Sequence, residues 1–253
     1  MKKYWTFSFV SAKSQLKSEV SNSYLNWLWW ILDPLCFMFI YIFIFGIVFQ
    51  AKEDHFPVFI FTGIAIWNFF NQMTTVSVKL VRNNKGIVSK VYIPKYVLLL
   101  TKVWVSGFKM LISFGIIAGM MLFYRITITW NVLFIVPILM VLVLLSFGIG
   151  TILMHLGVFL DDLSNLVSIG LKIMFYVTGV FYNVSSRIPA PYGELLEKFN
   201  PIAFLLEAAR GALIYGRTPH LGWLAFWFAM SVLITYFGIQ TIYKNENSYV
   251  KVL

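Results

Sequence analysis

An all-α, polytopic membrane fold is what this chain predicts, and three observations carry that expectation. Of its 253 residues 60% are hydrophobic and only 12% charged, against about half and about a quarter in an ordinary soluble domain. Six apolar runs are each long enough to cross a hydrocarbon core of about 30 Å at about 1.5 Å per residue. None of the runs alternates like a barrel strand, and in lipid every backbone polar group must be satisfied within its own element, so helices follow. The composition excludes a soluble cytosolic enzyme.

The expected spans are residues 27–49, 58–78, 97–123, 132–159, 163–184 and 221–243, in one transmembrane domain covering residues 1–253. Their orientation follows from Lys and Arg, which accumulate in cytoplasmic segments. With both termini inside, the inner segments hold Lys2, Lys3, Lys13, Lys17, Lys79, Arg82, Lys85, Lys90, Lys95, Lys102, Lys244 and Lys251. The outer ones hold half as many: Lys52, Arg125, Arg187, Lys198, Arg210 and Arg217. Both termini are therefore expected in the cytoplasm. The surplus of 20 Lys and Arg over 10 Asp and Glu is accounted for by topology and needs no nucleic acid. No secretory leader is expected, because Lys2 and Lys3 precede only a short mixed stretch before Ser11 and Lys13. The single cysteine, Cys36, can form neither an internal disulfide nor a Cys-x-x-Cys metal site.

Four segments do not span. In residues 1–24, Trp5, Phe9, Ala12 and Leu16 recur at helical spacing with Lys13 and Lys17 beside them, the pattern of a helix lying in the headgroup layer. An irregular basic tail that only sets topology is the alternative. Residues 79–96 carry Lys79, Arg82, Lys85 and Lys90, are interrupted at Asn83, Asn84 and Gly86, and stop at Pro94. They read as a cytoplasmic elbow of one or two short helices, longer than a hairpin needs and suited to docking. The inner turn 159–163 contains Asp161 and Asp162. Two adjacent acids are too few for a metal site, and a cap and turn is the better reading. Residues 185–220 are punctuated by Pro189, Pro191, Pro201 and Pro219, and hold helices too short to cross. They dip into the outer leaflet as a candidate outer gate, or lie on it as a cap.

Polar groups inside the runs narrow the function. Asn68, Gln72 and Thr75, with Asn71 beside them, share one face of the second run. Facing lipid would leave amides unpaired at about 0.5–3 kcal/mol each, so the stripe lines a pathway or bonds a neighbouring helix. Asp33, Lys109 and Lys172 all lie roughly 9–13 Å inside the cytoplasmic face. Charges at mid-bilayer cost at least about 2.5 kcal/mol unless paired or hydrated. Two readings stay open: Asp33 pairs with one lysine and the other faces a hydrated vestibule for an anionic headgroup, or the lysines only snorkel and pair. Phe37, Tyr41 and Phe45 share a face of the first run, either a flat platform on which sugar rings slide or ordinary packing. Ser146, Gly150 and Gly157 on the fourth run permit close helix approach, within a bundle or in a homodimer. His155 lies on the side of Asp162, the minimum for a headgroup enzyme, but a hydrogen-bonded packing histidine is the commoner cause. No residue set for catalysis or for a resident metal emerges.

The stretch Leu25-Asn26-Trp27-Leu28-Trp29-Trp30-Ile31-Leu32-Asp33-Pro34 resembles the signature opening the first span of ABC-2 type polysaccharide-export permeases. Ile93-Pro94-Lys95 with Leu98 resembles that family's motif after the elbow, and Asn200-Pro201-Ile202 with Arg210 its outer re-entrant region. The resemblance covers nearly the whole chain. Two positions depart: Asn26 stands where a glycine is usual, and Asp161 occupies the arginine of an Arg-Asp turn, leaving a salt bridge or ATPase contact of that arginine without its donor.

The resemblance implies a bacterial cytoplasmic-membrane exporter in which two copies form a channel and two separate ATP-binding subunits drive it. The cargo would be a lipid-linked polysaccharide such as an O-antigen or teichoic acid; an exporter of drugs or small lipids is the alternative. It implies that the elbow, Lys79 to Lys90, and the N-terminal helix rest on the ATPase, and that Asn200, Pro201 and Arg210 belong to the exit gate. No glycine is followed directly by lysine, so a Gly-Lys-Ser/Thr phosphate loop is absent and ATP and magnesium are expected on the other subunit.

Overall fold

The computed structural model describes residues 2–21, 26–48, 50, 53–88 and 93–252, and every regular element among them is helical. Leu25, Phe49, Lys52 and Lys90 lie outside the described residues. In chain order the helices are α1 (Lys2–Ser21), α2 (Asn26–Tyr41), α3 (Phe56–Val78), α4 (Leu80–Asn83), α5 (Lys85–Val88), α6 (Tyr96–Phe123), α7 (Ile135–Phe159), α8 (Leu163–Val177), α9 (Val184–Arg187), α10 (Tyr192–Phe199), α11 (Pro201–Leu213) and α12 (Leu221–Val252). A π-helical turn, Ile42–Val48, continues α2, and a 3₁₀ turn, Trp130–Phe134, leads into α7.

Proline marks where helices begin. Pro57 and Pro201 occupy the first turns of α3 and α11, where a missing N–H costs nothing because that donor has no partner inside the helix. Asn200 caps α11 by accepting from the N–H groups of Ile202 (3.1 Å) and Ala203 (3.3 Å), and Asn183 caps α9 through the Ser186 N–H at 3.1 Å. Pro34, by contrast, lies inside α2 and is buried.

The core is built around α3, against which α2, α6, α7, α8 and α11 all pack. Phe59, Ile60, Phe61, Ile66 and Met73 are fully buried along it. The partners α7 and α12 run side by side, and Thr235 Oγ1 donates to the Leu144 carbonyl at 3.1 Å. The elements gather at two ends. At the basal end, α1, α4, the α7–α8 turn and the tail of α12 meet; at the opposite end lie α9, α10 and α11.

Four of the expected spans are present as helices long and apolar enough to cross a membrane: Trp27–Val48, Tyr96–Phe123, Trp130–Phe159 and Leu221–Glu246. The other two differ from expectation. The 23 residues of α3 reach about 35 Å, but their amides keep the helix less apolar than the four. The fifth run does not continue to residue 184: α8 stops after 15 residues, about 22 Å, short of a hydrocarbon core. Its end is local. Thr178 turns its hydroxyl onto the Met174 carbonyl at 2.5 Å, and Gly179 adopts φ +76°, a left-handed conformation that stops a helix at little cost only in glycine. The last helix instead overruns its expected end at residue 243 and continues to Val252.

The small residues of α7 are used inside the protomer. Gly150 faces Ser77 and Leu99, Gly157 faces the Val78 backbone, and Gly148 faces Thr235. They set the approach of α3 and α12 to α7, so they do not point to a second copy. A side chain at Gly157 would land on the Val78 carbonyl, whereas one at Gly107 meets nothing within 4 Å. Gly157→Ala is therefore expected to destabilise the bundle by about 1–3 kcal/mol, and Gly107→Ala to leave it unchanged or firmer by up to about 1 kcal/mol. Thermal unfolding of the two variants in detergent checks the contrast.

Candidate functional site

The polar stripe of α3 is the most exposed part of an otherwise largely buried helix. Asn68, Gln72 and Thr75 are exposed and Asn71 is half-buried, while most of the remaining positions of α3 are buried. Through these exposed side chains the stripe bonds no helix of the same protomer among the described residues. The placement puts these polar side chains on the surface of the chain.

The aromatic file of α2 divides. Phe37 is exposed and stacks on Tyr41 with centroids 6.3 Å apart. Tyr41 and Phe45 turn inward onto Phe181, at 4.4 and 4.8 Å, and Phe175 joins both Tyr41 (6.2 Å) and Trp67 (5.3 Å). Offset and edge-on rings of this kind are worth about 0.5–1.5 kcal/mol a pair beyond their burial. Tyr41 and Phe45 thus tie α2 to the end of α8, and Phe37 is the ring of the three left on the surface.

The intramembrane charges are arranged differently from expectation. Lys109 Nζ bonds the Glu19 carboxylate at 2.8 Å and lies 5.2 Å from the Trp30 ring centroid, so its acid comes from α1 and Asp33 is not its counter-ion. Asp33 and Lys172 are exposed and share no ion pair among the described residues. Glu19 wins because α1 packs along α6, with Lys102 Nζ also donating to Gln15 Oε1 at 3.0 Å. Trp104 of α6 is held edge-on between Trp5 (5.1 Å) and Phe9 (5.4 Å) of α1. The N-terminal segment is therefore a regular helix docked by rings and two lysines, not an irregular tail.

The basal end holds the elbow. Lys79 and Lys85 are exposed, and two short helices, α4 and α5, form where the sequence predicts one or two. Arg82 forms an ion pair with Asp161 and donates to the Val158 carbonyl at 2.7 Å. The acid in the turn thus finds its arginine on the elbow. Asp162 sits at the start of α8 without a side-chain cap bond; its backbone carbonyl takes that role, accepting from Asn165 (3.0 Å) and Leu166 (3.2 Å). His155 Nδ1 is 2.8 Å from the Tyr249 hydroxyl, a packing contact between α7 and α12. Burial first, then the nearby Glu246, pushes the Tyr249 phenol up to about 12, so Tyr249 stays neutral. Lys95 Nζ meets Glu246 Oε1 at 3.0 Å with both side chains buried. Among the described residues no group of three His, Cys, Asp or Glu is placed to hold a metal.

At the opposite end Arg210 is fully buried. Its guanidinium donates to the carbonyls of Phe59 (3.3 Å), Gly179 (2.9 Å) and Val180 (2.7 Å) and lies 3.5 Å from the Phe59 ring centroid. Gly63 provides the space, since a Cβ there would stand 2.6 Å from Nη2. Arg210 thus locks α11 to α3 and to the turn that ends α8. Asn200 links the same parts: besides capping α11 at Pro201, its amide donates to Thr178 Oγ1 at 3.3 Å. On α10, burial and the neighbouring Glu207 hold the Glu197 carboxyl above the usual carboxylate range.

Residues 8–214 match the ABC-2 type transporter family. The chain belongs to that family. It is similar to an O-antigen export system permease protein RfbA of Klebsiella pneumoniae, 27% identical over 96% of this chain and 93% of that protein. A second RfbA of that description, from Myxococcus xanthus, is 24% identical over 92% of this chain and 89% of its own length. The polysialic acid transport protein KpsM of Escherichia coli is 24% identical over 92% and 90%. An ABC-2 membrane protein with helices of this length and apolarity is an integral membrane protein, in agreement with the resemblance in the motifs.

Sequence reasoning misses the acids that matter at the basal end, Glu19 and Glu246. Their signal is weak: each is a single carboxylate in a lysine-rich segment, and only the fold brings them to Lys109 and Lys95. Arg210 is marked by the sequence, but as part of an outer motif and not as a three-carbonyl lock. A lysine at 210 keeps the charge and loses the planar fork. Arg210→Lys is expected to lose at least one charge-assisted bond and about 3 kcal/mol of stability, against less than about 0.5 kcal/mol for Arg217→Lys on the surface; denaturation in detergent micelles separates the two.

Proposed function

We propose that this chain is the membrane-spanning permease subunit of an exporter that moves lipid-linked polysaccharide, of the O-antigen or teichoic acid type, across the bacterial cytoplasmic membrane. End-to-end similarity to O-antigen and polysialic acid transport proteins carries the reading, and the exposed amide stripe of an otherwise buried helix supports it. In this reading two copies face each other across a hydrated path. Asn68, Gln72 and Thr75 offer hydrogen bonds to hydroxyls, and Phe37 offers a ring face, so that sugars pass by weak repeated contacts. A path of this kind needs no catalytic group.

The basal end is the cytoplasmic one in this proposal, with both termini inside, as the distribution of Lys and Arg favours. Exposed Lys79 and Lys85, with half-buried Arg82, give the surface on which an ATP-binding subunit rests, and ATP with magnesium belongs to that subunit. Lys90 extends the same basic segment outside the described residues. Juxtamembrane lysines attract the anionic head of a lipid diphosphate, which brings the cargo to the inner mouth; Lys172, exposed on α8, is the intramembrane cation assigned to that role. ATP binding moves the elbow, the helices follow, and the short helices α9, α10 and α11 open at the outer side.

The triple variant Asn68→Leu, Gln72→Leu, Thr75→Val tests the path. Because these side chains are on the surface of the protomer, insertion and thermal stability are expected to stay within about 0.5 kcal/mol of wild type. Glycan at the cell surface is expected to fall about ten-fold or more, since each lost polar contact is worth about 1 kcal/mol. Unchanged export by an inserted triple variant counts against the path, and a wild-type complex that moves amphipathic drugs but no glycan counts against the cargo.

A further inference from the structure

The basal end contains three ties that close on one another. Arg82, in the elbow, reaches the end of α7 through the Val158 carbonyl at 2.7 Å and the Asp161 carboxylate. Lys95, where the chain leaves the elbow, reaches the tail of α12 through Glu246 at 3.0 Å. Tyr249, farther along that tail, reaches back to the end of α7 through His155 at 2.8 Å. Elbow, α7 and α12 are thus linked pairwise, and the link between elbow and α12 joins residues 151 positions apart in sequence.

The three ties are not equivalent. Asp161 is 84% exposed, and an ion pair in that setting contributes little. Lys95 and Glu246 are 3% and 8% exposed. Burying two charges costs desolvation that their attraction barely offsets, and apolar residues of the same volume would hold the helices at least as firmly. What the pair supplies is a fixed position: displacing either partner breaks a buried charge-assisted contact, which costs about 3–5 kcal/mol. A joint of this kind resists both separation and sliding. Tyr249 is completely buried and packs against Phe159 at 6.1 Å and His155 at 5.8 Å between centroids, so the tail is seated as well as tethered.

We propose that Lys95, Glu246 and Tyr249 are positioning residues for coupling: the tail of α12 carries displacement of the elbow into α7 and α12 together. The proposal rests on the permease reading and gives the segment after the last span a task. Arg82 ties only the start of the elbow, whose lysines Lys79 and Lys85 are exposed. The tail supplies a second anchor at the elbow's exit, opposite the Arg82 tie at its start. Movement then reaches α12, which packs along α7 through Gly148 and Thr235, so both helices shift as one body.

The test uses the full complex with its ATP-binding subunit, assayed for ATP hydrolysis in proteoliposomes and for surface glycan in a strain lacking its own copy. Glu246→Gln and Tyr249→Phe are expected to lower export about ten-fold per inserted chain while hydrolysis stays within about two-fold, because transmission and not assembly is lost. The exchange Lys95→Glu with Glu246→Lys is expected to recover export to within about three-fold of wild type. Hydrolysis and export falling in parallel, export unaffected by Glu246→Gln, or an inserted exchange variant that hydrolyses ATP without exporting each overturn the proposal. Should Glu246→Gln fail to insert, Tyr249→Phe, which keeps its ring packing and loses one hydroxyl, decides the matter alone. A wild-type complex that produces no surface glycan removes the permease reading itself, a result none of the variants can mimic.

Discussion

A polar group inside lipid has to be met by protein or by water, and the arrangement of this chain follows from how α3 satisfies that demand. On most of its circumference the helix is packed by α2, α6, α7, α8 and α11, so its apolar residues have no need of lipid. Its first half is held by Arg210, whose guanidinium serves the carbonyls of three residues and covers Phe59. A buried arginine that bonds backbone carbonyls is an unusual fastening, because its hydrogen bonds go to dipoles while the negative charge that balances it, Glu207 on the same helix, acts from outside hydrogen-bond reach. It persists here because the end of α8 and the turn after it present carbonyls with no helical partner. Shortening α8 and burying Arg210 are two sides of one solution.

The two ends of the bundle are joined by different chemistry. The end that holds α9, α10 and α11 relies mostly on neutral and backbone acceptors, Asn200 Oδ1 for the N–H groups of α11, the Lys198 carbonyl for Trp227 Nε1 at 3.0 Å and the Gly216 carbonyl for Asn131 at 2.5 Å, beside the carboxylates of Glu207, which accepts from Asn183, and Glu194, which pairs with Lys198. The basal end relies on ion pairs, Lys109 with Glu19, Arg82 with Asp161 and Lys95 with Glu246. Backbone bonds hold neighbouring elements in one geometry, and a buried ion pair such as Lys95 with Glu246 fixes position in the same way between segments far apart in sequence. An exporter driven from its cytoplasmic side, as proposed, needs joints at that side that pass movement on without slipping, and a seal at the other.

Much of this architecture is legible in the amino-acid sequence. Apolar runs locate α2, α6, α7 and α12 to within a few residues at most of their ends, since length and hydropathy are one-dimensional properties. The interruptions at Asn83, Asn84 and Gly86 announce the split elbow, and Trp5 and Phe9 announce a docked amphipathic helix. What stays hidden depends on distance between segments. Nothing local says that Lys109 takes Glu19 in preference to Asp33, because both acids lie within reach until α1 is laid along α6. Gly179 in its left-handed conformation ends α8 early, yet its neighbours 163–184 read as one apolar run. Polarity rises after residue 243 and hides the tail of α12, and only burial of Glu246 and Tyr249 shows why the helix goes on.

The amide stripe decides what a single protomer leaves unfinished. Asn68, Gln72 and Thr75 point away from the helices that bury the remainder of α3, so their side chains look outside the protomer for hydrogen bonds. Left against hydrocarbon, two amides and a hydroxyl cost about 0.5–3 kcal/mol each, enough together to offset much of the roughly 5–15 kcal/mol that holds a folded domain. Tight packing against a second copy would satisfy them, but it would also close the surface. Water satisfies them and keeps it open, and water in that position is held away from lipid only if another wall stands opposite. In the proposed exporter, a hydrated gap between two copies would cost less than exposing the stripe to lipid, and hydroxyl-rich cargo could replace its water bond for bond.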